Sequence, residues 1–396
     1  MSEETIKILK MLEGGKISST EADSLLSALK KGNPGRHHHF HGDGGDLSET
    51  LGGINTGKIV AEAMAGVKEG LQGLKGLKGL KELKDLHIEI DNIHGSEKAG
   101  EEKKIVIPAA GITCLSINQP RSDFEITGTD AGQITIKADI QVWAEDRDEA
   151  REKLKSLDIS TGIEGGILKI KVDGPPWTKK RRAKVDFTIE MPKNIAAEIS
   201  SASGEISVRN LAGGCRLNTA SGEIEISGCQ GENNLSTASG DITASGCAET
   251  SLKINTASGD IGVNDCSGSL AFQTVSGNAS ISLSGDIQGQ TVSGDIDIKA
   301  AKTGEIKIRS ASGDIQFQGP VTEGSSAAIA TVSGDVSLNL NQGSSTAIEA
   351  ATVSGDIDCV LDLEGLRQSN RSLSGKLGAG QGNLSVKTVS GDITIS

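Results

Sequence analysis

Apolar and polar residues alternate along much of the second half of the chain. Leu252, Ile254 and Thr256 occupy every second position before a Gly-Asp pair, and Ile261 and Val263 resume the alternation after it. Alternation with a period of two is the pattern of a strand with one buried face. The segment therefore predicts two short strands, the first arm and the second arm of one unit, joined by a turn at Gly-Asp.

This unit recurs up to Ser396. Successive motif glycines are 16 to 21 residues apart, and they are Gly204, Gly222, Gly240, Gly259, Gly277, Gly294, Gly313, Gly334, Gly355, Gly375 and Gly391. The repeat predicts a mainly β fold, a single-stranded β-helix (β-solenoid) with coils of about 18 residues, each paired with the next about 4.8 Å away. Because the last unit ends at Ser396, we expect an exposed edge there that needs a cap or a partner.

The inward positions of the coils are filled by Ile, Val and Leu, with few aromatic rings. In the second half only Phe272 and Phe317 are aromatic, and both take inward positions of the pattern. The motif Thr and Ser of each first arm are also expected to point inward and to stack as rows of hydroxyl groups.

The chain before the repeat divides into three parts. Residues 1–31 predict a helical hairpin, because apolar residues recur at helical spacing on both sides of Gly14-Gly15 and Ser18 and Glu21 form a capping box. Residues 32–86 are a His-rich linker followed by an amphipathic Leu/Lys/Gly segment, in which leucine recurs every third residue. Residues 87–200 are the β-rich part that precedes the repeat solenoid of residues 201–396.

Residues 87–200 combine alternating segments with one short helix. The helix is expected at Asp146–Ser156. The expected strands are His87–Ile90, Lys104–Ile107, Cys114–Ile117, Phe124–Ile126, Ile134–Val142, Leu168–Val172 and Val185–Ile189.

The charge of the chain is acidic and unevenly distributed. The net charge is −13, and residues 201–396 carry 21 acidic against 11 basic side chains. An acidic surface repels nucleic acid, so no nucleic-acid partner is expected. The sequence lacks an apolar leader and any run of 18 apolar residues, which favours a cytoplasmic protein with at most peripheral membrane contact. The six cysteines are then expected to be free thiols.

Two groups of residues are candidates for metal binding. An acidic row follows the motif glycines, with Glu205 and Glu223 in the first coils and then Asp241, Asp260, Asp295, Asp314, Asp335, Asp356 and Asp392. Divalent cations could relieve the repulsion along this row, whereas the alternative is ordinary turn chemistry on a solvated edge. The linker residues His37, His38, His39 and His41 could bind a transition metal or remain solvated.

Three cysteines recur at matching positions of successive coils. Cys229, Cys247 and Cys266 could form a thiolate metal or redox site, or a column of small apolar side chains at a corner. A zinc site would need a fourth ligand, and the neighbouring sequence suggests none.

Two segments are candidates for contact with lipid or with a protein partner. The first is the leucine repeat, with Leu71, Leu74, Leu77 and Leu80 and lysines between them, which could lie on a membrane or mediate self-association. The second is the basic loop of Lys179, Lys180, Arg181 and Arg182 beside Trp177, whose alternative is a solvated turn.

Nothing in the pattern indicates catalysis or a cofactor. All six histidines precede the repeat, so a His-based triad cannot form within it, and no phosphate-binding glycine loop is present. The sequence favours a non-enzymatic scaffold or binding protein. The alternative is a polysaccharide-active enzyme on a β-helix, which would need a pair of carboxylates beside a groove.

The quoted motifs also carry a family resemblance. Met191-Pro192-Lys193 followed by stacked Ser-Gly-Asp-Ile units resembles the bacterial "putative adhesin" family, a domain of unknown function with a β-solenoid fold, over residues 87–396. The segment 8–29 resembles the SHOCT-like helical hairpin that precedes this domain in many members. The resemblance implies no catalytic residues and a link of some relatives to cell-envelope stress. One departure is Gln119–Asp123, which stands where the family often has an early Gly-Asp turn.

Overall fold

The computed structural model describes residues 97–175 and 183–396. The first part of this region is β-rich and contains one helix, α1 (Arg147–Lys155), as the pattern at 146–156 predicts. The strands of this part are β1 (Glu97–Pro108), β2 (Cys114–Asn118), β3 (Phe124–Thr129), β4 (Gln133–Ala144), β5 (Asp158–Glu164), β6 (Ile167–Asp173) and β7 (Ala183–Pro192).

Most of the following strands come in pairs, one pair to a coil, whereas β15 and β16 each run from the second arm of one coil into the first arm of the next. They are β8 (Ala196–Ser200), β9 (Ile206–Arg209), β10 (Cys215–Asn218), β11 (Ile224–Ser227), β12 (Gly231–Ser236), β13 (Ile242–Ser245), β14 (Thr250–Asn255), β15 (Ile261–Ser276), β16 (Ala279–Ser293), β17 (Ile296–Lys299), β18 (Thr303–Ser312), β19 (Ile315–Gly319), β20 (Ser326–Ser333) and β21 (Val336–Leu340). The last strands are β22 (Thr346–Ala351), β23 (Ile357–Cys359), β24 (Glu364–Ser369), β25 (Ser372–Leu377), β26 (Gly382–Lys387) and β27 (Ile393–Ile395).

The strands form two parallel layers with the core between them. First-arm strands pair in register with the first arms of neighbouring coils, as in β8–β10–β12–β14, and second-arm strands pair likewise, as in β9–β11–β13. The long strand β15 bends around a corner, so that its start pairs with β13 and its later part with β14. The fold predicted from the repeat, a β-solenoid, is confirmed.

The alternation of the sequence is reproduced in the burial of the side chains. In the coil around Gly259, Leu252, Ile254, Ile261 and Val263 are all buried, and the inward positions of Phe272 and Phe317 are confirmed. The motif threonines also point inward, as predicted. The motif serines were predicted to do the same, and this is wrong: Ser258 and its equivalents are exposed, because the backbone leaves the core one residue before each glycine.

At the N-terminal end the stack continues into residues 114–200. Strand β2 lies between β8 and β6, and β3 lies between β9 and β7, so the coil of β2 and β3 is enclosed by strands that follow it in the chain. The antiparallel strands β4 and β1 extend this end of the second layer, and β5 extends the first. Strand β5 has no predicted counterpart, since only Ile159 of its seven residues is buried.

At the other end the chain does not stack in sequence order. Strands β26 and β27 insert between the β20–β21 coil and the β22–β23 coil, pairing in parallel with both. The outer side of β22 is covered by β25 of the antiparallel hairpin β24–β25. The prediction of an exposed edge at the last repeat is therefore wrong. The last repeat lies inside the stack, and the β24–β25 hairpin covers β22 of the coil outside it.

Candidate functional site

The acidic row forms a ladder of hydrogen bonds along one corner of the solenoid. The amide N–H of Asp335 donates to Oδ1 of Asp314 at 2.9 Å, and the amide of Asp314 donates to Oδ1 of Asp295 at 2.9 Å. The same bond at 2.7 to 2.9 Å joins further neighbouring coils, namely the pairs 241–260, 260–278, 278–295, 335–392 and 392–356. These side chains satisfy backbone amides at a position where the strands have ended, which is a structural use of the carboxylate.

One member of the ladder is an amide. Asn278 takes the place of an aspartate, and its Oδ1 accepts the amide N–H of Asp295 at 2.9 Å. The position therefore requires an acceptor oxygen but no negative charge.

The ladder begins earlier than the motif does. Asp123 Oδ1 accepts the amide of Glu205 at 3.1 Å, and its own amide donates to Oδ1 of Asp186 at 2.9 Å. Thus Gln119–Asp123, although it lacks the Gly-Asp turn, still supplies an aspartate at the ladder position. Lys184 Nζ lies 2.6 Å from Asp123 and 2.9 Å from Asp186. Desolvation alone would lower the pKa of Lys184, but its hydrogen bonds to these two carboxylates raise the pKa overall.

The motif glycines are required by close contact between coils. A Cβ atom on Gly240 would lie 2.1 Å from the carbonyl oxygen of Gly222, and one on Gly313 would lie 2.2 Å from that of Gly294. A real Cβ never approaches oxygen so closely, so any side chain here would force the coils apart. Gly375 does not belong to this column, because it lies in β25 opposite Ile348.

A column of buried threonines lines the inner side of the same corner. Thr237 Oγ1 donates to the carbonyl oxygen of Gly222 at 3.2 Å, and Thr352 Oγ1 donates to that of Gly391 at 3.1 Å. Glycine carbonyl, threonine hydroxyl and aspartate carboxylate therefore all serve contacts between coils. The sequence predicted the rows but not these bonds, because the partners are 15 to 57 residues apart in the chain and meet only in the stack.

The ladder gives the carboxylates a structural role, and whether they also bind cations stays a prediction. Among residues 97–175 and 183–396, no group of three or more His, Cys, Asp or Glu side chains lies close enough together to hold a metal ion. The residues His37, His38, His39 and His41, Leu71, Leu74, Leu77 and Leu80, and Lys179, Lys180, Arg181 and Arg182 lie outside the described residues.

The three cysteines do form a column, at the corner where each second arm ends. Cys229 and Cys247 are fully buried and Cys266 is 4% exposed, and all three are free thiols. In the same column Leu211 precedes them and Leu283 follows them, so the position is an apolar one. Cys215 lies nearby on β10, where its thiol donates to Oδ1 of Asn233 at 3.1 Å. Burial raises the pKa of Cys215 to about 12.

The outer face of the first-arm layer carries a shallow polar groove of about 340 Å³. Glu232, Lys253, Gln288, Glu305 and Lys307 are among its lining residues. Within it Lys307 pairs with Glu305, and Asn234 Nδ2 donates to Glu232 Oε1 at 3.0 Å. Such a face offers hydrogen-bonding groups of both charges, without an aromatic platform.

The stacked coils and their corner ladders define a parallel β-solenoid. The family model described as Toastrack DUF4097 matches residues 112–318 and 290–396, and the chain belongs to this family. A second model, described as a SHOCT-like domain, matches residues 3–34. The resemblances inferred from the Met-Pro-Lys strand, the Ser-Gly-Asp-Ile units and the N-terminal hairpin are thereby confirmed.

Several solved structures are similar in part. A putative lipid binding protein from Parabacteroides distasonis is 15% identical, with 77% of this chain and 100% of that chain covered and a TM-score of 0.36. A putative adhesin from Bacteroides fragilis is 14% identical, with the same coverage and a TM-score of 0.33. A putative cell adhesion protein from Clostridium sporogenes is 12% identical, with 75% and 99% covered and a TM-score of 0.20. No curated protein matches the chain significantly.

Proposed function

We propose that this Toastrack protein is a non-catalytic binding scaffold, in which the solenoid is an adhesin-like surface and the N-terminal segments bring it to a membrane. The corner ladder carries the proposal. In this ladder Oδ1 of an aspartate accepts a backbone amide of the neighbouring coil, so these carboxylates help to hold the stack together.

The remaining chemistry of the repeat supports the same proposal. The histidines all precede residue 97, and the buried polar groups of the described coils are mostly threonines. An acid–base or nucleophilic site needs two or three such groups that converge on one point. A column, in which equivalent groups are spaced one coil apart, favours a repetitive surface over a single reaction centre.

The charge distribution supports different roles for the two halves of the chain. The repeat is acidic and would be repelled by anionic lipid, whereas the leucine segment around Leu71–Leu80 and the loop Lys179–Arg182 combine lysine or arginine with apolar residues. We place the protein in the cytoplasm, on the inner face of the cell envelope, where the family resemblance suggests a role in envelope stress. No helix in the described ranges is long and apolar enough to span a membrane.

Co-sedimentation of the full chain with liposomes tests the proposal. Vesicles that contain an anionic lipid should pellet the protein, neutral vesicles should not, and high salt should release it. A variant with Leu71, Leu74, Leu77 and Leu80 all changed to Gln should stay in the supernatant. The matched control carries two solenoid changes, Lys253→Gln and Lys307→Gln, and should pellet like the unmodified protein.

Two results would contradict membrane recruitment. One is that the unmodified protein stays in the supernatant with every lipid. The leucine segment would then be assigned the alternative role of self-association. Sedimentation velocity would then show an oligomer that the leucine variant loses. The other is equal pelleting of the leucine variant and the unmodified protein.

A further inference from the structure

The column of Cys229, Cys247 and Cys266 is not required by the fold. Equivalent positions of other coils are occupied by Leu211, Leu283 or Ala300, all of them buried. Side chains without sulfur therefore fill this corner elsewhere in the same solenoid. Three successive thiols here need a reason other than packing.

The geometry of the column suits a two-coordinate metal ion. The backbones of cysteines at the same position of neighbouring parallel coils are separated by about 4.8 Å, the distance between paired strands. Two collinear metal–sulfur bonds, each about as long as the 2.3 Å of a zinc–thiolate bond, would span about 4.6 Å. The three thiols lie in a row, so they cannot surround one ion as zinc requires, but each neighbouring pair can hold a linear S–metal–S unit.

The backbone of one coil already contacts the sulfur of the next. The amide N–H of Cys247 donates to Sγ of Cys266 at 3.4 Å. The thiols of Cys247 and Cys266 in turn donate to the carbonyl oxygens of Ser245 and Asn264, at 3.4 Å each. The sulfur of Cys266 therefore reaches the backbone of Cys247, and Cys247 is the residue with a cysteine neighbour on each side.

Each cysteine lies next to an exposed turn residue. These residues are in the left-handed conformation, namely Gly228 with φ 61°, Gly246 with φ 60° and Asp265 with φ 53°. The buried sulfurs thus belong to residues beside exposed backbone, so a local opening of the turn would expose them to a small ion.

We propose that Cys247, together with either Cys229 or Cys266, binds a soft monovalent ion of the Cu(I) class in linear coordination. Thiolates select such ions over the hard divalent cations, and a buried pair of sulfurs excludes water from the ion. Binding displaces two thiol protons and involves no electron transfer.

The test is a titration of the full chain with Cu(I) in anaerobic buffer containing ascorbate, in competition with a chromogenic Cu(I) chelator. We expect one tightly held ion per chain. Cys247→Ala should weaken Cu(I) binding more than the loss of a residue that only hydrogen-bonds to a metal ligand, which costs about 10–100-fold. The reason is that this change breaks both pairs of thiols. Cys229→Ala and Cys266→Ala should each retain tight binding, since one pair remains.

The controls separate a linear pair from general thiol binding. Cys359→Ala, which removes a half-buried thiol on β23, should bind as the unmodified protein does. If Cys247→Ala does not fold, the double variant Cys229→Ala/Cys266→Ala makes the same test, because it leaves Cys247 without a partner. Equal weakening by all three single variants, or no tight binding by the unmodified protein, would overturn the proposal.

Discussion

At the scale of the residue, three kinds of contact between coils recur along the corner. Glycine allows the backbones to approach, aspartate Oδ1 accepts the amide of a neighbouring coil, and several of the buried threonines, Thr237 and Thr352 among them, donate to a glycine carbonyl. The sequence predicted a turn from Gly-Asp, which is correct. It could not show that the carboxylate is used by the next coil, because turn chemistry within one coil explains the same two residues equally well.

The glycine requirement gives a direct prediction. Gly240→Ala places Cβ 2.1 Å from the carbonyl oxygen of Gly222, so we expect the free energy of unfolding to fall by about 1–3 kcal/mol or more, as overpacking does. Gly162→Ala, in β5, is the matched control, since its Cβ would meet nothing within 4 Å. Urea unfolding followed by circular dichroism measures both. Equal midpoints for the two variants would contradict the close-contact account.

The aspartate requirement gives a second prediction, and Asn278 supplies its precedent. Asp314→Asn keeps an acceptor oxygen for the amide of Asp335 and removes one of a row of like charges, so stability should change by no more than about 0.5 kcal/mol. Asp314→Ala removes the acceptor and should cost about 1 kcal/mol. The two variants are compared by thermal unfolding. If alanine proved as stable as asparagine, the hydrogen bond would contribute nothing to the stack.

At the scale of the element, the alternation of apolar residues was sufficient to find most strands but not their order in space. The period-two pattern predicts part of β1 and also β2, β3, β4, β6 and β7, and the repeat predicts the coil strands. The insertion of β26 and β27 between two earlier coils left no trace in the pattern. Every coil has nearly the same inward residues, so sequence alone cannot tell which coil a given strand will pair with. Gly375 shows the same limit of the sequence pattern. Its Ser-Gly-Lys sequence resembles the Ser-Gly-Asp motif but lies in the capping hairpin β24–β25.

The inserted coil should stabilise both of its neighbours. Val386→Asp places a charge at a fully buried position of β26, and we expect amide hydrogen exchange to accelerate in β20 and in β22 together. Leu366→Ser on the exposed strand β24 is the control and should leave both unchanged, because Leu366 is 47% exposed. Faster exchange in β22 alone would show that β26 does not lie between these two strands.

At the scale of the whole molecule, the described region is a stack in which the corner aspartates and several buried threonines of the repeat bond one coil to the next. The fold class and the family could be predicted because ten similar units constrain one another. The function could not be predicted to the same depth, since a repeated surface has no single point where chemistry-bearing residues meet. The leucine segment and the basic loop both precede the repeat, and they are where we propose the contacts with other molecules.

The central claim is that the corner carboxylates hold coils together and do no chemistry. Incubation of the full chain with bacterial envelope polysaccharide, followed by assay of reducing ends, tests it most directly. We predict no release above buffer from the unmodified protein or from a variant with both Asp314→Asn and Asp335→Asn. Release by the unmodified protein that the double variant loses, while it unfolds at the same temperature, would show that the carboxylates are catalytic and would contradict the account.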